Sequence, residues 1–261
     1  ILGHKNDPGV DILSIIKAHD ITIDFPDEVY EYIEKNIPDE IDPNDLKNRV
    51  DLRDTFIVTI DGDDAKDLDD AISLRKLDNG HYELGVHIAD VSYYVRENTP
   101  LDKEAVKRGT SIYLVDRVIP MLPHKLSNGI CSLNEGVDRY TISCIMELDE
   151  KGKVVDHKIL PTVIHSNHRM TYNNVNRIIN GEDLPEYRDA KDLFFLMKEV
   201  AGILHEKRKK RGSIDFDTNE AKILVDENGH VEDITLRQRG ESEHFIEEFM
   251  LCANETVAEH F

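Results

Sequence analysis

Positive charge is scarce in this chain. Lys and Arg number 32 against 53 Asp and Glu, a formal net charge of −21. A protein that grips nucleic acid over a broad face carries a basic footprint, so attraction of that general kind is excluded and any contact with nucleic acid has to be local. Cysteine is nearly absent as well. Cys131, Cys144 and Cys252 are odd in number, far apart and without a C-x-x-C pair, which argues against a disulfide framework and leaves them as small buried hydrophobes. No apolar run approaches the roughly eighteen residues needed to cross a bilayer, and no basic-then-apolar leader opens the chain. The expectation is a soluble, cytoplasmic protein, a monomer without a membrane partner.

What is present is enough for an ordinary globular core: 261 residues, 39% of them hydrophobic. Residues 1–50 carry two short helical patterns, GVDILSIIKAHDI and PDEVYEYIEKNI, set off by Asp and Pro. From about residue 54 the texture changes to strands. FIVTI comes first, then AISLRKL and HYELGVHIA around Asp78-Asn79-Gly80. Two further hairpins are expected around Lys151-Gly152 and Asn228-Gly229. A helix is predicted over 188–211, where Leu193, Leu196, Met197, Val200 and Leu204 recur at helical spacing and Gly212 caps the end. The fold class is therefore α+β, with mixed, largely antiparallel sheets and packed helices. The chain opens without Met and stops inside an apparent helix, FIEEFMLCANETVAEHF, as a piece of a longer protein would.

The densest signal is TIDGDDAKDLDD, in which Asp61, Asp63, Asp64, Asp67, Asp69 and Asp70 fall within ten positions. Like charges so close raise one another's pKa values or destabilise the fold unless a cation offsets them. A solvated acidic turn would tolerate them, but Asp61 directly follows an apolar strand and Leu68 alternates with the aspartates as if one face were buried. Carboxylate oxygens suit Mg²⁺ or Mn²⁺, the ions that phosphoryl-transfer enzymes use. An EF-hand does not fit, because the sixth and twelfth positions from Asp61 hold Lys66 and Ile72 where Gly and Glu are required. A haloacid-dehalogenase-type phosphatase, which opens D-x-D-x-[TV] after an apolar strand, misses at Ala65 and stands as the alternative.

The string DGDDAKDLDDA, followed in order by GVHIADVSYYV, RGTSIYLVDRVIPMLPHKLSNGICSLN and RGSIDFDTNEAK, resembles the catalytic (RNB) domain of the ribonuclease II and ribonuclease R family, with bacterial ribonuclease R the nearest branch. The likeness runs over roughly residues 51–261. It implies a metal-dependent exoribonuclease that hydrolyses single-stranded RNA processively from its 3′ end and releases nucleoside 5′-monophosphates. In the D-x(5)-D-x-D-D motif, Asp61, Asp67, Asp69 and Asp70 would hold Mg²⁺, with Mn²⁺ as a substitute. Asp69 would matter most to chemistry, Asp61 and Asp70 would be firm ligands, and Asp63 and Asp64 would stand outside the set.

The same resemblance makes Tyr113 a clamp on the RNA and Phe216 a stacking ring, and aromatic stacking holds terminal bases without sequence preference. Glu248, preferred over Glu247, would touch the bound strand. Asp90 lies in the same motif as Tyr93 and Tyr94, which are assigned to packing. The run from Lys207 to Arg211 is expected mainly to meet the helix dipole, and His165 and His168 are read as structural. Residues 1–50 resemble the connector that follows upstream OB domains, and 51–261 the N-terminal part of the catalytic domain. The family's HFTSPIRRY motif is not found. A chain of this extent is expected to hold metal weakly and to degrade RNA slowly or not at all. A non-catalytic RNA-binding scaffold is the third reading, disfavoured because all four aspartates are present.

Overall fold

Alternation of apolar and polar residues along FIVTI, AISLRKL and HYELGVHIA builds the centre of the molecule, because successive side chains of a strand point to opposite faces. The computed structural model describes residues 2–4, 7–214, 220–226, 230–236 and 239–261. It divides into two units, one of Ile1–Pro38, Ser92–Lys125 and Phe216–Gln238, the other of Asp39–Val91, Leu126–Asp215 and Arg239–Phe261.

The larger unit holds a seven-stranded sheet in the order β1-β8-β7-β4-β3-β2-β9. Its strands are Val50–Asp51 (β1), Val58–Asp61 (β2), Asp70–Lys76 (β3), Tyr82–Ala89 (β4), Asp138–Leu148 (β7), Val154–His165 (β8) and His168–Thr171 (β9). Neighbours pair antiparallel except at the edges, where β1 runs parallel to β8 and β9 parallel to β2. The two expected hairpins in this unit form, with Gly80 and Gly152 at positive φ, a conformation open to residues without a Cβ.

One face of the sheet is apolar. Val58, Ile60, Ile72, Leu84, Val86 and Met146 pack against Tyr172–Ile179 (α5), Lys191–Lys210 (α6) and Glu241–His260 (α7), whose Val175, Phe194, Met197, Phe245 and Phe249 are fully buried. The opposite face is polar and equally buried. Thr59, His87, Thr141, Ser143 and Thr162 are at most 1% exposed. Most of these groups are hydrogen-bonded, as buried polar groups generally are: His87 Nδ1 lies 2.7 Å from Ser143 Oγ and Nε2 3.0 Å from Ser73 Oγ, and Ser143 Oγ lies 2.6 Å from Thr162 Oγ1, whereas Thr59 Oγ1 is buried without a partner. Burial pushes the His87 pKa down to about 3, so the ring is neutral. A Cβ at Gly85 would stand 2.3 Å from Ser73 Oγ, which is why this row requires glycine.

In the smaller unit lie helices Val10–Ala18 (α1), Asp27–Asn36 (α2) and Pro100–Arg108 (α4), and the two-stranded pairs Ile112–Tyr113 (β5) with Val118–Ile119 (β6) and Ala221–Val225 (β10) with Val231–Leu236 (β11). A short turn of helix, Val91–Tyr94 (α3), follows β4. Thr99 caps α4 by accepting the Asp102 amide at 3.2 Å. Arg108 ties this unit together: it bonds Glu104 at 3.0 Å and the Asp24 carbonyl at 2.8 Å, and lies 3.7 Å over the Phe25 ring. The turn expected at Asn228-Gly229 lies outside the described residues. No helix among the described residues is long and apolar enough to cross a membrane.

Candidate active site

The four aspartates of the motif gather at one end of two neighbouring strands. Asp61 closes β2 and Asp70 opens β3, so the eight residues between them fold back over that end of the sheet. Leu68 is buried at 1% exposure, as the alternation implied. Asp63 and Asp64 point to solvent, and Asp63 accepts a hydrogen bond from the Asn173 side-chain amide.

Charge crowding is visible in the acids themselves. Burial first, and then Asp70, Asp67 and Asp69, push the Asp61 pKa up to about 7, against a pull from Arg169. Burial and then Asp67 and Asp70 push Asp69 up to about 6, although its side chain is the most solvent-exposed of the four. Burial also raises Asp70. Asp61 Oδ2 is buried without a hydrogen-bond partner, a costly state for a carboxylate oxygen.

These donors fit a hard divalent cation: an all-carboxylate set, acids raised by burial and, at Asp61 and Asp69, by their neighbours, and one buried oxygen that lacks a donor. Among the described residues no three His, Cys, Asp or Glu side chains are yet arranged to ligate one ion. The backbone collects the aspartates at one end of the two strands.

Basic residues border the site in ways the sequence did not reveal. The Arg169 guanidinium donates to the Ala65 carbonyl inside the loop, and its amide to Glu135 Oε2 at 2.8 Å. Parallel pairing of β9 with β2, which sets Arg169 opposite Thr59, puts it there. Arg49 forms a buried ion pair with Asp90 at 2.5 Å and lies 4.1 Å over the Tyr140 ring. It also reaches the Thr141 and Thr162 carbonyls at 3.4 and 3.3 Å. Asp90 therefore anchors the end of β4. An arginine just ahead of the first strand was the available signal, and it carried no periodicity.

The remaining expected residues belong to other elements. Tyr113 lies on β5 in the smaller unit, its side chain 66% exposed. Phe216 lies outside the described residues. Glu248 is placed differently from the expectation of a strand contact. It is 4% exposed, and its carboxylate is held by His205 Nδ1 at 2.9 Å and Arg208 at 2.8 Å, so it serves the contact between α6 and α7. Glu247 stays on the exposed side, 3.8 Å from His244. The basic run is largely engaged in packing too: Lys207 donates to the Gly152 carbonyl at 2.8 Å, and Arg211 pairs with Glu255. His165 and His168 are bonded to Asp138 and Asp189 at 2.8 and 2.9 Å, structural partners as expected.

Comparison with known proteins places these features. A family model described as RNB domain matches residues 49–261, and one described as cold shock domain matches residues 1–26. Ribonuclease R of Thermotoga maritima is 54% identical over 266 residues, covering 100% of this chain and 37% of its own length. Ribonuclease R 1 of Lactococcus lactis is 52% identical over 263 residues, covering 100% of this chain and 32% of its own length. The chain therefore spans only about a third of the curated relatives it matches. Among solved structures, Mycoplasma genitalium RNase R in complex with ribose methylated single-stranded RNA aligns with a TM-score of 0.92 at 34% identity, over 98% of this chain and 40% of that one. Yeast Ssd1, a pseudonuclease, shares the fold alone, with a TM-score of 0.76 at 19% identity over 99% of this chain and 32% of that one.

Proposed function

The chain belongs to the RNB-domain family, and from this we propose that it carries the phosphodiester-cleaving centre of a 3′-to-5′ exoribonuclease acting on single-stranded RNA and releasing nucleoside 5′-monophosphates. The observation that carries the proposal is the gathering of Asp61, Asp67, Asp69 and Asp70 at one sheet end, with Asp61 Oδ2 buried and unpartnered. A shared fold alone would not suffice, because function resides in the site.

In this reading Asp61 and Asp70, the acids at the strand ends, are the firm ligands of Mg²⁺, with Mn²⁺ as a substitute, and Asp67 and Asp69 complete the set. A divalent ion held by these acids would supply positive charge against the phosphate and make a water more acidic. Asp69, the most open of the four, would be the group that accepts a proton from the attacking water. The exposed Tyr113 ring stacks on a base near the 3′ end, which needs no sequence preference. A surface of net charge −21 leaves most of the electrostatic grip on RNA to protein outside this chain. The phosphatase alternative is displaced by the family match, and its D-x-D-x-[TV] pattern is in any case broken at Ala65.

The test uses 5′-labelled single-stranded RNA, the chain itself, and a chimera in which it replaces the matching segment of the Thermotoga maritima relative. With Mg²⁺ the chimera is expected to shorten RNA from the 3′ end and to release 5′-monophosphates. Chelator should stop it. RNA left intact by the chimera under all conditions would overturn the proposal.

A further inference from the structure

The stretch between Lys66 and Asp69 belongs to no strand or helix, since β3 begins only at Asp70. Its backbone groups have no ladder to enter, yet Leu68 is buried and its N–H and C=O need partners. Both find them on two consecutive residues some sixty positions away. Ser132 Oγ accepts the Leu68 amide at 3.1 Å, and the Leu133 amide donates to the Leu68 carbonyl at 2.8 Å. The single hydroxyl proton of Ser132 lies within reach of the Lys66 carbonyl and of Asn134 Oδ1, each at 3.2 Å. The peptides on either side of Asp67 are thereby tied to one side chain, and Asp69 follows the second of them directly.

Ser132 is itself held rigidly. It is 0% exposed. Its amide donates to the Gly129 carbonyl at 3.1 Å, and its carbonyl accepts Arg139 Nε at 2.9 Å. Arg139 lies on β7 and also reaches the Gly129 carbonyl, at 3.3 Å. The clamp is thus tied to the start of β7.

We propose that Ser132 is a positioning residue, which sets the spacing of Asp67 and Asp69 against their mutual repulsion so that both can reach one divalent cation. This rests on the reading of the aspartates as a metal centre. Residues that hold metal ligands in place change affinity by roughly 10–100-fold when removed, even though they never touch the ion. Ser132→Ala leaves the buried Leu68 amide without an acceptor, and the loop must shift to satisfy it.

The experiment titrates Mn²⁺ alone into this chain, wild type, Ser132→Ala, Ser132→Cys and Asp69→Asn, and follows free and bound ion by electron paramagnetic resonance. Amide hydrogen exchange of Leu68 and of Val86, in the central strand β4, is measured with chelator present. Ser132→Ala is expected to bind Mn²⁺ about 10–100-fold more weakly, with faster exchange at Leu68 and unchanged exchange at Val86. Ser132→Cys, similar in volume and a weak acceptor, should recover part of the affinity. Affinity in Ser132→Ala within about twofold of wild type would overturn the clamp, given the range such residues command. So would loss of Val86 protection in both serine variants, since the serine would then be supporting the whole fold. If Asp69→Asn loses the ion while Ser132→Ala keeps it, the clamp alone fails. If Asp69→Asn binds Mn²⁺ like wild type, the metal centre fails and the clamp with it.

Discussion

The amide of Ala89 donates to the carbonyl of Asp69 at 2.9 Å, so the strand in the middle of the sheet fixes this aspartate through its backbone and leaves the carboxylate to chemistry. Asp69→Asn keeps that bond and removes only charge. The variant is expected to melt at or above the wild-type temperature with chelator present. In the wild type, Mn²⁺ at about a hundredfold its dissociation constant should add about 2.7 kcal/mol, seen as a rise in melting temperature. That rise should be largely lost in Asp69→Asn, and an undiminished rise would contradict a role for Asp69 in holding metal.

Acid strength at Asp61 gives a pH signature. Folding raises its pKa from the ordinary carboxylate value to about 7, so between these values the folded chain binds more protons than the unfolded one. Stability then falls as pH rises through that window. Asp69 is too exposed to carry the same argument. With chelator present, Asp61→Asn should be more stable than wild type at about pH 8, by on the order of 2 kcal/mol after allowance for solvent on its open side. The advantage should vanish below about pH 3, under both pKa values. Urea denaturation of both proteins across this range measures it, and an advantage independent of pH would contradict the assignment.

Arg49 and Asp90 form a well-enclosed ion pair in the larger unit, their side chains 7% and 6% exposed. Removing one partner strands the other charge in the interior. Arg49→Ala is therefore expected to lose about 3–5 kcal/mol, whereas the double substitution Arg49→Met with Asp90→Leu should lose less than either single change. A double-mutant cycle by urea denaturation decides it, and additive losses would count against the pair.

Tyr113, at 66% exposure, contributes little to the core. Tyr113→Ala should change stability by no more than about 0.5 kcal/mol. If its ring stacks on a base, the same change weakens single-stranded RNA binding by about 1–3 kcal/mol, measured by fluorescence anisotropy of a labelled oligonucleotide on the chimera with chelator present. Unaltered binding would remove Tyr113 from the RNA contact.

The aspartate site was legible where short-range pattern determines structure. The apolar run FIVTI placed Asp61 at a strand end, and Leu68 between aspartates announced a buried face. Hairpins and the long helix were legible for the same reason, since turn residues and apolar spacing are local. What escaped were bonds between distant positions. Arg49 meets Asp90 across 41 residues and Ser132 meets Leu68 across 64, and neither arginine nor serine has a spacing that announces its partner. Strand β9 is four residues long, too short for periodicity to reveal its parallel pairing, and with it the place of Arg169 stayed hidden. The partners of Glu248 escaped as well, because a helix pattern shows which face a residue shares but not that α6 presents Arg208 to that face.

The most direct measurement of the central claim is the rate of nucleoside 5′-monophosphate release from single-stranded RNA by the chimera, wild type against Asp69→Asn, across a range of Mg²⁺. The account predicts metal-dependent release by the wild type and a loss of roughly 10²–10⁴-fold in the variant, in keeping with the removal of a group that takes a proton in the reaction, with RNA binding preserved. Equal rates in the two proteins, or release that persists in chelator, would contradict it.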